Sequence, residues 1–168
     1  MTKLFAQPYS LDAIGFYFES EDEFQTITHR LVDAHGERVE EFEIQFIDGE
    51  DIDAALAKAI GLSQGNIGLY LDAVDVWNEE DKRRYIIGVG EYGLEFDLEA
   101  DDPNELDVDV YHLDSLRELA EQLVKEGVMG DILESMRFYF DYDVFARDLA
   151  MDYSETEIAG QRLIYRVG

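Results

Sequence analysis

The sequence predicts an α+β protein with a small mixed N-terminal unit, a helical middle and a mixed C-terminal unit with antiparallel strands. Near both ends of the chain, apolar residues alternate with polar ones, as they do in half-buried strands. In the middle they recur at helical spacing, and hydrophobic residues make up 46% of the 168 residues, enough for a core. The expected domains are residues 1–50, 51–106 and 107–168.

The first fifty residues predict two strands and one helix. Ile14–Phe18 is aromatic and favours a strand, and apolar residues alternate with polar ones in Glu41–Ile47. Between them, Ser20 followed by Glu23 has the spacing of a capping box, which predicts a helix over Glu21–Ala34. These residues therefore predict a small α+β unit.

The middle of the chain predicts consecutive helices. Ala54–Ile60 is rich in alanine and is followed by glycine, which is typical of a helix end. Ser63 is placed to cap a second helix and Asn78 to cap a third. Glu95–Asn104 then predicts an acidic loop.

The last sixty residues return to mixed structure. Val108–Leu113 predicts a strand, and Ser115–Glu126 predicts an amphipathic helix with a stripe of leucines. Asp141–Ala150 predicts a further helix. Glu155–Ala159 and Arg162–Val167 are separated by a short turn with glycine, so we expect them to pair as a hairpin.

Acidic residues dominate the composition. The chain has 40 Asp and Glu against 13 Lys and Arg, a formal charge of −27. The excess is spread along the chain, with a net charge of −9 over residues 1–50, −7 over 51–100 and −11 over 101–168. Such a field rejects nucleic acid, anionic lipid and phosphorylated substrates. It indicates either a protein adapted to high salt or one that directs its charge at a basic partner.

The absence of cysteine excludes disulfides and thiol catalysis and favours a reducing compartment. No apolar run is long enough for a signal peptide or a membrane span. We therefore expect a cytoplasmic protein that does not enter a membrane.

A dinucleotide-binding motif and a hydrolase motif occur in the sequence, each without the structural context that it needs. Gly88–Gly93 matches GxGxxG, but the acids that follow would repel a dinucleotide pyrophosphate. Gly61–Gly65 matches GxSxG, but the residues before it predict a helix where a nucleophile elbow needs a strand. The three histidines lack zinc-ligand spacing, and residues 97–108 lack the glycine and glutamate of a calcium loop. We expect no enzyme, no cofactor and at most a weak divalent site.

The predicted helix Ser115–Glu126 carries a row of acids away from its leucines. Asp114, Glu118 and Glu121 are spaced at i, i+4 and i+7, so roughly 4.5–6 Å separates successive members along the axis. Duplex DNA carries one charge per roughly 1.7 Å of axis, and several such rows would approach that density. The competing interpretation is a solvated helix face. The candidate DNA-mimic surface comprises the row and other acids nearby: Asp109, Asp114, Glu118, Glu121, Glu126, Asp131, Glu134, Asp141 and Asp143.

The segment Asp107–Leu149 resembles the ArdA antirestriction proteins, the acidic DNA mimics of conjugative plasmids and transposons. The resemblance rests on the strand and helix block Val108–Gly127, on the run DYDVFARDL at Asp141–Leu149, and on the closing Gln161–Arg166. The usual opening of the family appears only loosely, at Gly15–Phe18.

The resemblance implies an elongated three-domain homodimer that occupies the DNA-binding groove of type I restriction–modification enzymes. It implies no catalytic residue, no cofactor and no direct binding of nucleic acid. It also implies a dimer interface near the run Asp141–Leu149, with these candidates: Phe138, Tyr139, Tyr142, Phe145 and Leu149. The residues themselves leave two accounts of this aromatic cluster open, the covered face of the terminal hairpin or a twofold contact. An acidic halophile-type protein and a divalent-metal-binding protein remain alternatives for the whole chain.

Overall fold

The computed structural model describes all residues, Met1–Gly168, and contains seven α-helices and two small antiparallel sheets of three strands each. The chain divides into two compact units, Met1–Leu106 and Asp107–Gly168, with one sheet in each. This architecture confirms the predicted α+β class. The further division of the first unit after residue 50 stays a prediction. None of the helices combines the length and the apolar character that crossing a membrane requires.

The sheet of the first unit has β1 (Lys3–Pro8) at its centre, between β2 (Phe16–Phe18) and β3 (Phe42–Asp48). The sequence prediction had no strand at the N-terminus. Leu4 and Ala6 of β1 are fully buried, so this strand provides the middle of the core. Phenylalanine rings from β2, β3 and the first helix pack against one another with centroids 5.1–6.0 Å apart.

The first helix, α1 (Glu21–Thr28), is shorter than predicted, because the sequence indicated a helix as far as Ala34. An antiparallel bridge between Val32 and Arg38 replaces the last predicted turn. Asp33 stabilises this bend, since its Oδ1 accepts hydrogen bonds from the backbone N–H groups of residues 37 and 35. These bonds also hold the pKa of Asp33 below its ordinary value.

Three helices and a π-helical turn follow. They are α2 (Asp51–Ile60), α3 (Ile67–Val76), α4 (Glu79–Tyr85) and the turn Ile86–Glu91. Asn78 and Asp81 form a complete capping box at the start of α4, which confirms Asn78 as the predicted cap. The predicted cap Ser63 is wrong: α3 begins after Asn66, whose Oδ1 accepts the Ser63 N–H at 2.8 Å.

The helices of the first unit enclose an ion pair. Lys82 Nζ lies 2.7 Å from Asp53 Oδ1, and the two residues are 5% and 4% exposed. The hydroxyl of Tyr70 donates to the Asp53 carbonyl at 3.0 Å, and burial, with a smaller effect of the Asp53 charge, raises the pKa of Tyr70. Arg83, also buried, pairs with acids of its own helix. These two cations therefore contribute little positive charge to the surface.

The sheet of the second unit has the order β4 (Val108–Tyr111), β6 (Gln161–Val167), β5 (Ser154–Ile158). The β5–β6 hairpin turns through Ala159 (φ 51°) and Gly160 (φ 76°), and two such left-handed residues match the twist of a two-residue hairpin. The predicted hairpin is thus confirmed.

Helices α5 (Leu116–Lys125), α6 (Glu134–Arg137) and α7 (Tyr142–Leu149) complete this unit. The leucine stripe of α5 packs inward, where Leu119 and Leu123 form a core cluster with Ile164 of β6. Ser115 and Asp141 cap α5 and α7 through their side chains, close to where the sequence predicted the two helices to begin.

Candidate functional site

All nine acids of the predicted mimic surface are exposed, but three of them are paired with arginine. Asp109 Oδ2 accepts from Arg166 Nη2 at 2.7 Å. Glu121 and Asp143 share Arg117, at 3.2 Å and 2.6 Å. The pairing was not foreseen, because Arg117 and Asp143 are brought together by the packing of α5 on α7. The hydrogen bond to Asp143, and then that to Glu121, raise the pKa of Arg117.

The row on α5 differs from its prediction at the first member. Asp114 precedes the N-cap, so it lies outside the helix, and its backbone N–H donates to Glu118 Oε2 at 2.9 Å. The negative charge of Glu121 is neutralised by its ion pair with Arg117. The predicted row of three free carboxylates therefore contains only two without an arginine partner, those of Asp114 and Glu118.

Of the other predicted acids, two lie at helix ends and two lie in a stretch with exposed apolar side chains. Asp141 Oδ1 accepts the N–H groups of residues 143 and 144 at 3.1 Å each, which stabilises the start of α7. Glu126 accepts from Gln122 Nε2 at 2.9 Å. Asp131 and Glu134 are exposed within a stretch whose apolar side chains are also exposed.

The first unit carries the more strongly acidic surface, which the sequence prediction missed. Residues 1–106 expose 21 acidic side chains and 3 basic ones, whereas residues 107–168 expose 14 and 5. Net charges summed over residues 1–50, 51–100 and 101–168 do not compare the two units, whereas the units themselves contain 26 acids and 7 bases in residues 1–106 against 14 and 6 in residues 107–168. Alternation at the start of β3 was the available signal: Glu43 in the strand and Glu41 just before it are exposed beside buried Phe42 and Ile44.

No group of three or more acidic or histidine side chains has an arrangement that could hold a metal ion. In the acidic loop, carboxylates bind the backbone instead: Asp101 Oδ2 accepts from the Asp97 N–H and Asp97 Oδ1 from the Glu99 N–H. Their spacing thus serves turn formation.

The predicted dimer residues fall into two groups. Phe138 and Tyr139 are 90% and 80% exposed, with their rings in edge contact. Phe145 and Leu149 are half-buried and pack against the core cluster of their own unit. Tyr142 is also half-buried, with its ring centroid 5.1 Å from that of Phe140. A contact with another molecule is therefore open to the first group and largely closed to the second.

Residues 128–139, which we name the apolar segment, expose more large apolar side chains than the sequence prediction included. Beside Phe138 and Tyr139 these are Val128, Met129, Leu133 and Met136, each more than half exposed. Helix α6, within the segment, has no buried residue. Single exposed apolar residues are ordinary on a protein surface, but six large ones lie within these twelve residues.

Comparison with known families identifies the chain. A family model described as antirestriction protein (ArdA) matches residues 11–160, which is most of the sequence and includes both units. A comparison with curated proteins gives no match. The match covers the run Asp141–Leu149, the edge strands of both sheets and the acidic surface of the first unit, whereas the central strands β1 and β6 lie outside it. On this match, the chain belongs to the ArdA family of antirestriction proteins.

Proposed function

We propose that this protein inhibits type I restriction–modification enzymes by occupying their DNA-binding groove with a carboxylate surface in place of DNA. The observation that carries the proposal is the exposed charge, 21 acids against 3 bases on the first unit and 14 against 5 on the second. The proposal contains no catalytic step and no cofactor. It assigns the protein to the cytoplasm of a cell that receives a plasmid or transposon, where restriction enzymes meet incoming DNA.

The magnitude of the charge supports the proposal. At one phosphate charge per about 1.7 Å of duplex axis, 27 charges correspond to roughly 46 Å of DNA. A groove lined with lysine and arginine to bind DNA would attract such a surface over several angstroms. The same field repels phosphate, so direct binding of nucleic acid is not expected.

The inhibitory surface should extend over many acids in both units. In the second unit, the predicted acids without an arginine partner are Asp114, Glu118, Glu126, Asp131, Glu134 and Asp141. In the first unit, Glu43 of β3 and the preceding Glu41 add two acids, and the first turn of α1 adds three more. Because each exposed charge contributes little by itself, inhibition should decline gradually as charges are removed.

A restriction-protection assay with a purified type I enzyme and unmodified DNA tests the proposal. We expect the native protein to protect the DNA. Asp114→Asn, Glu118→Gln and Glu121→Gln should each weaken inhibition less than about fivefold, and the triple variant by about fivefold or more. One substitution that abolishes inhibition in a folded protein would point to a specific site instead.

The control for charge is Arg117→Gln on the same helix. This change removes a cation that holds Glu121 and Asp143, so inhibition should stay equal or become stronger.

Thermal melts in low and in molar salt test the halophile alternative, because a halophile-type protein loses its structure without salt. We expect folded protein in both, and unfolding at low salt would favour that alternative.

We also infer that the protein forms a homodimer through the apolar segment. Phe138 and Tyr139 are the most exposed aromatics of the second unit, and buried aromatic anchors commonly dominate such contacts. Phe140, which follows the segment, has its ring centroid 5.8 Å from that of Phe145, and Phe145 packs on the core cluster of its own unit. Two chains of charge −27 repel each other, so an apolar contact should tighten when salt screens the charge.

Sedimentation velocity at two ionic strengths tests the dimer. Phe138→Asp and Tyr139→Asp should each shift the protein towards monomer, because each places a charge in the contact without disturbing the core. Val76→Asp is the matched control, since Val76 is 79% exposed in the first unit and should not affect association. A native protein that stays monomeric at every concentration, or dimers that persist in both variants, would remove the apolar segment from the interface.

A further inference from the structure

Strand β3 has one side that no other strand covers. It stands at the end of the order β2–β1–β3, so it pairs with β1 alone, and β1 is the only helix or strand in extended contact with it. With seven residues it is the longest edge strand of the two sheets, since the others have three to five. A long edge strand is a template for pairing with another extended chain.

The hydrogen bonds between β1 and β3 determine which backbone groups of β3 point away from β1. The Tyr9 N–H donates to the Glu41 carbonyl at 3.1 Å, so Glu41 and every second residue after it bond to β1. The N–H and carbonyl groups of the residues between them, Phe42, Ile44 and Phe46, therefore point to the open side.

A side-chain amide already bonds one end of this edge. Gln64 Oε1 accepts the Phe42 N–H at 2.7 Å, and Gln64 Nε2 donates to the Glu40 carbonyl at 3.1 Å. The amide of glutamine offers the same donor and acceptor as a peptide group, so it takes the place of an added strand here. Beyond Phe42, no residue of the chain bonds the outward groups of Ile44 and Phe46.

The side chains beside the open edge favour a basic partner. Glu41, Glu43 and Asp48 are exposed, and β3 contains no lysine or arginine. A second copy of this chain would bring its own acids to the contact, and like charges on neighbouring strands oppose pairing. A lysine or arginine opposite Glu43 would stabilise it instead. The acids thus oppose self-association through the edge and leave it open to a basic chain.

A cavity of about 270 Å³ adjoins the same end of the strand, where Phe42 and Gln64 line it together with Phe24 of α1. Phe24 and Phe42 are buried, with ring centroids 5.7 Å apart, so this cavity lies on the core side of the sheet. Arg38 and Glu40 bring both charges to its wall, so an uncharged side chain suits it best. At sites of strand addition, such pockets take alternate side chains of the added chain.

We propose that the open edge of β3 binds an extended segment of alternating apolar and basic residues, which adds to this sheet as a fourth strand. The backbone of the segment bonds the outward groups of Ile44 and Phe46, its apolar residues face the core side, and its basic residues face Glu43. The occupant is a segment of the enzyme that the protein inhibits, an assignment that rests on the proposed function. Main-chain bonds fix the register of the two chains, which attraction between distant charges does not do.

Amide hydrogen exchange, followed residue by residue by NMR, tests the edge in the isolated protein. Without a partner, the N–H groups of Ile44 and Phe46 should exchange at least about tenfold faster than those of Glu43 and Gln45, which bond to β1. The probe is a blocked heptapeptide of alternating lysine and valine, with lysine at both ends. At saturation it should slow exchange at Ile44 and Phe46 about tenfold or more, with a smaller change at Glu43 and Gln45. Slow exchange at Ile44 and Phe46 in the free protein, or no change with the peptide, would overturn the proposal.

Two modified peptides separate backbone pairing from plain attraction between charges. In antiparallel addition, the residues directly opposite Ile44 and Phe46 share their face of the sheet, so the valines face the core side and their N–H groups bond β3. Methylation of the central valine nitrogen should therefore weaken binding about tenfold or more, whereas methylation of a neighbouring lysine nitrogen should not. The reverse order would support parallel addition to the same edge. Equal binding of the two modified peptides would overturn the proposal and leave charge attraction as the whole effect.

A charge reversal beside the edge tests the preference for a basic partner without touching the core. Glu43→Lys changes an exposed side chain of β3, and Asp75→Lys is the matched control, an equal change of charge at an exposed position of α3. Glu43→Lys should weaken peptide binding about fivefold more than Asp75→Lys does, because it places lysine opposite lysine. Equal effects of the two variants would overturn the role of Glu43.

The restriction-protection assay decides whether the enzyme supplies the strand. If it does, Glu43→Lys should weaken protection about fivefold more than Asp75→Lys. Equal protection by the two variants, with peptide binding weakened only in Glu43→Lys, would overturn the assignment to the enzyme. A native protein that gives no protection at all would refute the proposed function, while hydrogen exchange with the peptide would still decide whether the edge accepts a strand.

Discussion

Raising the salt concentration from about 50 to 200 mM should weaken binding to a type I restriction enzyme tenfold or more. A DNA-binding groove that makes six to ten phosphate contacts loses about 10³–10⁵ in affinity over this range, because both surfaces release counterions when they meet. The carboxylates are more widely spaced than phosphates, so tenfold is the lower bound that we expect. The measurement is a titration of affinity against salt with the purified enzyme.

Dimerisation through the apolar segment provides a comparison for this titration within the same protein. Dimerisation should become tighter with salt, while enzyme binding becomes weaker, because only the second depends on attraction between opposite charges. Sedimentation in the same buffers separates the two effects. An affinity that does not change with salt would mean that the exposed acids are not what the enzyme binds.

Much of the fold was predictable because its signals are local. Ser20, Asn78, Ser115 and Asp141 each cap a helix through the side chain. The left-handed turn at Gly160 lies where the sequence placed the hairpin. In each case, residues within four positions of one another decide the structure, so no knowledge of distant partners was needed.

The sequence predictions failed where contacts beyond the regular pattern of one element determine the local structure. Strand β1 has a short alternation, Leu4 and Ala6 inward, which is too brief to stand out without its partner β3 some forty residues later. Helix α1 ends early because Val32 pairs with Arg38, although the apolar spacing alone permits another turn. Helix α3 begins at Ile67, because the side chain of Asn66 bonds back across the preceding turn to Ser63 and Gly61.

The total charge of the candidate surface was predictable from the sequence, but the positions of the unpaired charges on that surface were not. Counting charges gave the net −27, but the count treats Lys82 as equal to an exposed lysine. Likewise, the spacing of Glu121 does not reveal that Arg117 connects it to Asp143. Burial and pairing across helices depend on tertiary packing, which the spacing of residues in one helix does not encode.

The buried ion pair of the first unit supplies the largest stability effect that we expect. Lys82→Met keeps the length and volume of the side chain but leaves Asp53, 4% exposed, without its partner at 2.7 Å. Breaking a buried pair on one side costs about 3–5 kcal/mol, because the remaining charge is neither solvated nor paired. Urea unfolding followed by Trp77 fluorescence should show a midpoint lower by about 1 M or more.

Lys3→Met is the control for this change, because it removes the same charge from the same unit. The Lys3–Glu19 pair is 3.8 Å long, with side chains 44% and 36% exposed, so the loss should stay below about 1 kcal/mol. The double variant Asp53→Asn, Lys82→Met should recover most of the stability, since no buried charge remains. If Lys82→Met is no more destabilising than Lys3→Met, water reaches Asp53 and the pair is not buried in solution. If Lys82→Met does not fold at all while the double variant does, the cost of the unpaired carboxylate exceeds the stability of the whole unit.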